Sequence, residues 1–182
     1  MEENKSFVVS ILDGSGTAQV SNGTYNVTAT ASGYDNTSIL PKSTTITDDV
    51  DTYDFTIAAT GNLTIHVTED GTSGGNPVQN AVFYRCDSSG TTYGDPITTD
   101  QTGTAVLANV PFVSDTGITI YYKQTATDNL HNFDNTLQNI SMTGEAQTVE
   151  ITNPLAETKT FNLKDANYDG LVINSAQITL TD

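Results

Sequence analysis

Three kinds of residue are scarce or absent in this sequence, and their scarcity limits the structures and functions that the chain can have. There is no tryptophan, one cysteine, and only six lysine and arginine residues among 182. A single cysteine, Cys86, cannot form an intramolecular disulfide, and its place in the alternating stretch AVFYRCD predicts a small strand residue rather than a nucleophile. Helix-forming residues are few beside abundant Thr, Asn, Asp, Ser and Gly, which favours strands and turns over helices.

The charge balance is strongly acidic. Twenty-two Asp and Glu residues against six basic ones give a formal net charge of −16. Because phosphate recognition needs a basic footprint, we expect no binding to nucleic acid, and attraction to an anionic membrane surface is disfavoured for the same reason. No apolar run is long enough to cross a bilayer, so no membrane insertion is expected.

Alternation of apolar and polar residues with a period of two runs through the whole chain and predicts an all-β, antiparallel sandwich. No segment has the spacing of a substantial amphipathic helix. Stretches of turn chemistry such as GTSGGNP, DSSGTTYGDP and DQTG separate the strands. The predicted strands lie at 7–12, 17–20, 24–31, 43–47, 52–58, 63–70, 81–87, 104–110, 118–125, 137–142 and 147–153.

An internal repeat divides the chain into two units. ILDGSGTAQVSNGTY (11–25) parallels TTDQTGTAVLANVPF (98–112), and the closing strands DFTIAATGN and VEITNPLAE also correspond. The unit at 62–154 is whole. The other unit is split, because the tail FNLKDANYDGLVINSAQITL matches the start of the whole unit. We therefore predict a second sandwich composed of residues 5–60 plus 158–182.

The motifs of the repeat resemble a known family. GNPVQNAVFYRC…GDPITTDQTGTAVLANVPF…ITIYYKQTATD…VEITNP is similar to the Cna-B or SpaA-like domains of bacterial surface proteins. DGSGTAQVSNGTYNVTATASGYDN resembles the related carboxypeptidase-regulatory-like repeats. The resemblance implies transthyretin-like (prealbumin-like) β-sandwiches, which usually act as spacers in pilins, stalks and adhesins. It implies an extracellular or cell-surface location and no enzymatic activity, and its motifs are specific for fold rather than for function.

Many members of that family carry an intramolecular isopeptide bond between a Lys and an Asn, promoted by an acidic residue. In the whole unit, the resemblance puts His66, Gln124 and Asn153 at the Lys, acid and Asn positions. A neutral imidazole beside a Gln offers no amine nucleophile, so we predict no isopeptide bond. Lys123 with Asn153 is the alternative pair.

DANYDG, residues 165–170, has the oxygen spacing of a calcium loop at Asp165, Asn167 and Asp169. The twelfth position is Ala176, so the bidentate Glu of such loops is missing. We interpret the stretch as a polar hairpin turn, with weak calcium binding as the alternative, and otherwise expect no cofactor. The two histidines, His66 and His131, leave a two-His metal site open.

Six N-x-S/T sequons offer glycosylation sites if the source organism exports and glycosylates the protein. They lie at Asn4, Asn22, Asn26, Asn36, Asn62 and Asn139.

The split unit has three explanations: one period of a longer tandem array, completion by the chain's own tail, or completion by the tail of a neighbouring copy. The third gives a heterologous contact that propagates into a filament. We therefore expect a structural module of an extracellular fibre, pilus or stalk, with other copies of itself as head-to-tail partners. The alternative is an adhesin-type module that recognises a host protein or glycan through Tyr34, Tyr93, Tyr121 and Tyr122. The apolar residues of the predicted strand donor are Phe161, Leu163, Val172, Ala176, Ile178 and Leu180.

Overall fold

The structure, a computed structural model, describes residues 6–168, 171–173 and 175–179. Within those ranges the regular elements are all β-strands, and no helix long and apolar enough to span a bilayer is found. The prediction of an all-β fold is confirmed. In chain order, the strands are β1 (Gly23–Asn26), β2 (Ser43–Ile46), β3 (Ala59–Thr68), β4 (Val82–Cys86), β5 (Thr92–Thr98), β6 (Thr104–Phe112), β7 (Ile118–Ala126), β8 (Gln138–Met142) and β9 (Ala146–Thr152).

Strands β3 to β9 form a sandwich of two sheets. One sheet has the order β6-β3-β9 and the other has the order β5-β4-β7-β8. The expectation of purely antiparallel pairing is wrong at one place, because β3 runs parallel to β9 while it pairs antiparallel with β6. The alternation of apolar and polar residues reports which face of a strand is buried. It carries no information on the direction of the neighbouring strand, so the sequence could not reveal this pair.

The core lies between the two sheets and follows from that alternation. On β3, Leu63, Ile65 and Val67 are completely buried, whereas Thr64 and His66, which alternate with them, are only partly buried. Phe83 and Tyr122 pack against them from the other sheet, with their ring centroids 6.5 Å apart. Each such side chain contributes about 1.5–3 kcal/mol by leaving water, so this cluster holds the two sheets together.

Strand β5 lies where the sequence predicted only a turn. The stretch contains Gly94 and Pro96, both of which are depleted in strand interiors. They are tolerated because β5 is an edge strand, paired only with β4 within its sheet, and most of its residues are exposed.

Aspartates organise the turns through a recurring hydrogen-bond pattern. In each Asp-x-Ser/Thr turn, the carboxylate accepts the backbone N–H and the hydroxyl of the residue two positions on. The aspartates that form these turns are Asp35, Asp70, Asp87, Asp100 and Asp134. These hydrogen bonds hold the pKa values of Asp70, Asp87, Asp100 and Asp134 below the ordinary range. Part of the acidity of the chain therefore stabilises its turns.

The segment before β3 contains much less regular structure than its alternation predicted. From residue 6 onward, only β1 and β2 pair in this segment, and the predicted strands at 7–12 and 52–58 contribute only isolated bridges, such as Leu40 with Thr56. Val8, Ile11 and Phe55 are exposed by 90, 65 and 40%. An alternating segment needs a neighbouring strand and an opposing face to bury its apolar side chains, and here they remain in contact with solvent.

The tail after β9 pairs with itself through two backbone hydrogen bonds. The Asp165 N–H bonds to the Leu171 carbonyl at 3.1 Å, and the Ile173 N–H bonds to the Leu163 carbonyl at 3.2 Å. An isolated bridge joins Lys164 and Val172. In the parts of the tail that the structure describes, no backbone hydrogen bond reaches the segment before β3.

Candidate functional site

Because β3 and β9 run parallel, the chain enters the sandwich before β3 at one end and leaves it after β9 at the other end. At the entrance end, the segment before β3 is attached by hydrogen bonds from the Thr60 N–H to the Gly33 carbonyl and from the Asp35 N–H to the Ala58 carbonyl, both 2.9 Å. The chain leaves β9 at the opposite end, which we call the exit end. The ten residues of β3 span about 33 Å between the two ends. Flanking segments therefore join the sandwich at opposite ends.

At the exit end the departing chain is paired with the long β7–β8 loop. The Asn132 N–H bonds to the Pro154 carbonyl at 2.9 Å, and the Ala156 N–H bonds to the Leu130 carbonyl at 2.8 Å. The Asn153 N–H bonds to the Thr68 carbonyl at 2.9 Å, so the departing chain is also attached to the end of β3. These bonds fix the direction in which the tail leaves the sandwich.

His131 connects this loop to β3. Its Nδ1 lies 2.6 Å from Asp128 Oδ1 and its Nε2 lies 3.4 Å from Glu69 Oε1, while only 9% of the side chain is exposed. Burial acts to raise the pKa of Asp128, but hydrogen bonds from His131 and the Leu130 N–H outweigh it, so the pKa lies below its ordinary value. We call His131, Asp128 and Glu69 the exit clasp. No local motif in the sequence indicates this cluster, because Glu69 lies 62 positions from His131 although Asp128 is only three residues away.

The structure does not bring the two histidines to a common site. His66 Nδ1 is 2.6 Å from Glu150 Oε2, whereas His131 contacts the carboxylates of Asp128 and Glu69. Among the described residues, no group of three or more His, Cys, Asp and Glu side chains is arranged to hold a metal ion. Asp165 Oδ1 accepts the N–H groups of Asn167 and Tyr168 at 2.7 and 3.2 Å, as in a polar turn. Asp169 lies outside the described residues.

Of the three positions that the resemblance pointed to, two are buried in the core. Gln124 is 3% exposed and Asn153 is completely buried. Their amide groups donate to the Ala126 carbonyl at 3.1 Å and to Thr127 Oγ1 at 3.3 Å, and both side-chain oxygens lack a hydrogen-bond partner among the described residues.

The third position, His66, alternates with the buried Ile65 and Val67, so it faces away from the core and is not brought together with the other two. Lys123 alternates with the buried Tyr122 and Gln124, so it too lies on the outer face of its sheet. The inward side chains of β3 are aliphatic and offer no amine. The absence of an isopeptide bond stays a prediction.

The apolar tail residues are largely in contact with solvent. Phe161, Leu163, Val172 and Ile178 are exposed by 58, 39, 62 and 46%, and with Ala176 they line one shallow pocket of about 200 Å³. Leu180 lies outside the described residues. The tail thus presents an unburied apolar surface.

Of the tyrosines predicted to form a sugar platform, Tyr122 is 2% exposed and packs in the core, so it is not available to a ligand, whereas Tyr34 and Tyr93 are exposed by 46 and 45%. The sequon asparagines in the described ranges are all exposed, and Asn4 lies outside those ranges. The exposed sequon residues are Asn22, Asn26, Asn36, Asn62 and Asn139.

A scan against models of protein families gives no match, and a search among curated proteins gives none either. Among solved structures, GBS52, the minor pilin of the Gram-positive pathogen Streptococcus agalactiae, is similar with a TM-score of 0.51 and 15% identity, over 82% of this chain and 67% of that one. BcpA, the major pilin subunit of Bacillus cereus, matches with a TM-score of 0.39 and 17% identity, over 56% and 32%. The Bacillus anthracis TIE protein matches with a TM-score of 0.42 and 20% identity, over 56% and 19%.

At these identities the similarity concerns the fold alone. The match to GBS52 covers most of both chains and shows that this all-β sandwich fold is one found in a pilin. The chain spans about a fifth of the TIE protein and about a third of BcpA, so nothing about those whole proteins is transferred with the fold.

Proposed function

We propose that this chain is a non-catalytic structural module of a cell-surface fibre or pilus, built from Cna-B-like, transthyretin-like sandwich units. In this proposal the two units comprise residues 62–154 and residues 5–60 plus 158–182. Further copies join head to tail when the tail of one copy completes the split unit of the next by β-strand donation. The observation that carries the proposal is the pair of unburied apolar segments that flank a sandwich which the chain enters and leaves at opposite ends.

Energetics favour covering these two segments. Exposed apolar strands with unpaired backbone groups are unfavourable in water and prone to associate. The tail presents Phe161, Val172 and Ile178, and the segment before β3 presents Val8 and Ile11. A donated strand would satisfy the backbone groups of both segments and bury their apolar side chains together.

Geometry favours completion by another copy over completion within one chain. The tail leaves at the exit end, about 33 Å along β3 from the entrance end. Residues 154–156, the first of the tail, pair with the β7–β8 loop, so the tail begins by running away from the entrance end. The six residues between Asn153 and Thr160 span at most about 20 Å when extended. A tail of another copy needs no such return and gives an open, head-to-tail assembly.

The test is the oligomeric state of the full chain across concentration, by light scattering and negative-stain microscopy. We expect ladders of head-to-tail oligomers that Ile178→Asp abolishes. Gln177→Asp, on a neighbouring exposed tail residue, is the matched control for added charge and should leave the ladder intact. Ile11→Asp should block the acceptor in the same way. Mixing the donor-blocked and acceptor-blocked chains should then produce heterodimers and nothing longer.

A compact monomer at every concentration, with tail amides protected from hydrogen exchange, would overturn strand donation and indicate completion within one chain. Specific signal on a glycan array from that monomer would favour the adhesin alternative over a spacer.

A further inference from the structure

The connection from β3 to β4 has a distinctive backbone pattern. The Val78 N–H bonds to the Val67 carbonyl at 2.9 Å, and the Glu69 N–H bonds to the Asn76 carbonyl at 3.0 Å, with an antiparallel bridge between these two bonds. Two residues after Val78, Asn80 has a φ of 65°. Residues other than glycine seldom adopt a positive φ, so this combination of features is specific to the connection.

The tail has the same backbone pattern. The Ile173 N–H bonds to the Leu163 carbonyl at 3.2 Å, and the Asp165 N–H bonds to the Leu171 carbonyl at 3.1 Å, again with an antiparallel bridge between the two bonds. Two residues after Ile173, Ser175 has a φ of 61°. The tail is therefore folded like the connection between β3 and β4, although its described residues from 161 onward form no backbone hydrogen bond with the sandwich.

This match relates individual side chains of the sandwich to side chains of the tail. Counted from the matched hydrogen bonds, each inward residue of β3, of β4 and of their connection has an apolar counterpart in the tail. The inward residues are Ile65, Val67, Val78, Ala81 and Phe83, and their counterparts in the same order are Phe161, Leu163, Ile173, Ala176 and Ile178. The first set is at most 1% exposed, whereas every member of the second set is exposed. The tail thus presents the core-facing side chains of two strands without an opposing core.

The strand next to β3 indicates where such a tail would pair. Within the sandwich, β3 runs antiparallel to β6, and His66 lies opposite Thr104. The sequence repeat relates GTAVLANVPF, which contains β6, to GTAQVSNGTY, so residues 104–107 correspond to residues 17–20. In the described part of the chain, residues 17–20 form no backbone hydrogen bond. Their backbone groups are therefore free to pair with an added strand.

We propose that the tail of one copy pairs antiparallel with residues 17–20 of a second copy, in the register that β3 has with β6. Asn162, the counterpart of His66, then lies opposite Thr17, and Phe161 lies opposite Ala18. This inference rests on the proposed function, to which it adds the acceptor strand and the register. A second copy supplies the tail because the chain leaves the sandwich at the exit end, whereas residues 17–20 belong to the segment attached at the entrance end.

The same correspondence decides which tail residues become buried. Ile173 takes the inward position of Val78, which is completely buried in the sandwich. Val172, one of the apolar residues of the predicted strand donor, corresponds to the exposed Pro77 and stays in contact with solvent. A charge introduced at residue 173 therefore opposes assembly, whereas a charge at residue 172 does not.

Cysteine cross-linking tests the register. A chain with Asn162→Cys is mixed with a chain of different tag mass that carries Thr17→Cys, and disulfide heterodimers are quantified on a non-reducing gel after mild oxidation. Residues directly opposite each other in an antiparallel pair lie within disulfide reach, whereas diagonal neighbours are about 7–8 Å apart. The matched control is Gln19→Cys, because Gln19 corresponds to Val106, two positions along β6 from the counterpart of Thr17.

We expect about fivefold or more heterodimer with Thr17→Cys than with Gln19→Cys, since only the first pair is in reach. The parent chain should form none, because Cys86 is buried. Equal cross-linking at residues 17 and 19, or none at residue 17 while the parent chain still forms its oligomer ladder, would overturn the register and leave strand donation standing. A parent chain without any ladder would instead refute the proposed function and this acceptor with it.

Charge substitutions give a second test that does not depend on disulfide formation. Ile173→Asp should abolish the ladder, whereas Val172→Asp places the same charge on the neighbouring residue and should leave the ladder intact. Both residues are exposed in the single chain, and circular dichroism checks that the sandwich of each variant is folded. Equal loss of the ladder with the two variants would overturn the assignment of inward and outward positions.

Discussion

The Thr99 hydroxyl forms two buried hydrogen bonds to the backbone, and removing this hydroxyl should destabilise the sandwich strongly. Its side chain is 2% exposed, and Oγ1 accepts the Ala81 N–H at 2.9 Å while donating to the Val78 carbonyl at 2.8 Å. Thr99→Val keeps the shape but leaves both backbone groups unpaired beside residues that are completely buried. Each of the two buried unpaired groups costs about 1–3 kcal/mol, so we expect a loss of about 2–6 kcal/mol in the free energy of unfolding.

Urea unfolding followed by far-ultraviolet circular dichroism measures this loss. With a slope of about 2 kcal/mol per molar urea, the midpoint of Thr99→Val should fall by roughly 1–3 M. Thr99→Ser retains the hydroxyl and removes one methyl group, for a loss of about 1 kcal/mol. Thr148→Val changes an exposed residue of β9 in the same way and should remain within about 0.5 kcal/mol of the parent. If Thr99→Val were no less stable than Thr99→Ser, the buried hydroxyl would not be what holds residues 78–81 in place.

Two further predictions concern turns. Hydrogen bonds from the Thr102 hydroxyl, followed by backbone N–H groups, lower the pKa of Asp100 in the folded state. A lowered folded-state pKa stabilises the protein above the unfolded value of about 4 and the contribution is lost as pH falls through the folded value. Asp100→Asn should therefore flatten the fall of the urea midpoint between pH 5 and pH 2, and an unchanged acid profile would contradict this. Gly103 has φ +73°, and a Cβ there would lie 2.4 Å from the Val67 carbonyl oxygen, whereas Gly94 has φ +74° and open space around it. Gly94→Ala should cost about 1 kcal/mol from the backbone conformation alone and Gly103→Ala more than about 2 kcal/mol, and equal losses in thermal unfolding would show that the contact is unimportant.

Period-two alternation predicted the strands of the sandwich well where it coincides with burial. Leu63, Ile65 and Val67 alternate in LTIHV and are all completely buried. The same signal overstated order before β3, where residues 7–12 alternate but find no face to bury against. Alternation describes a strand's suitability for a sheet, and the partner strands decide whether the sheet forms.

Other features depend on long-range placement and left no local signal. Strand β5 contains turn residues that only an edge strand tolerates. The exit clasp joins His131 to Glu69 across 62 positions of sequence. His66 lies on the same strand as core residues but faces outward. The family resemblance indicated its position along the strand and gave no information on which face its side chain points to.

The parallel pairing of β3 with β9 would suit the fibre role proposed above, in which the module transmits force along its length. The two strands match over seven consecutive pairs, from Asn62 with Ala146 to Thr68 with Thr152. Because the flanking segments attach at opposite ends, a pull on both of them slides β3 and β9 past each other along their length. All of the hydrogen bonds between the strands then share the load, whereas strands pulled from the same end would separate one bond at a time. The exit clasp adds resistance where the tail leaves, since residues 154–156 must detach from the β7–β8 loop before the load reaches β9 alone.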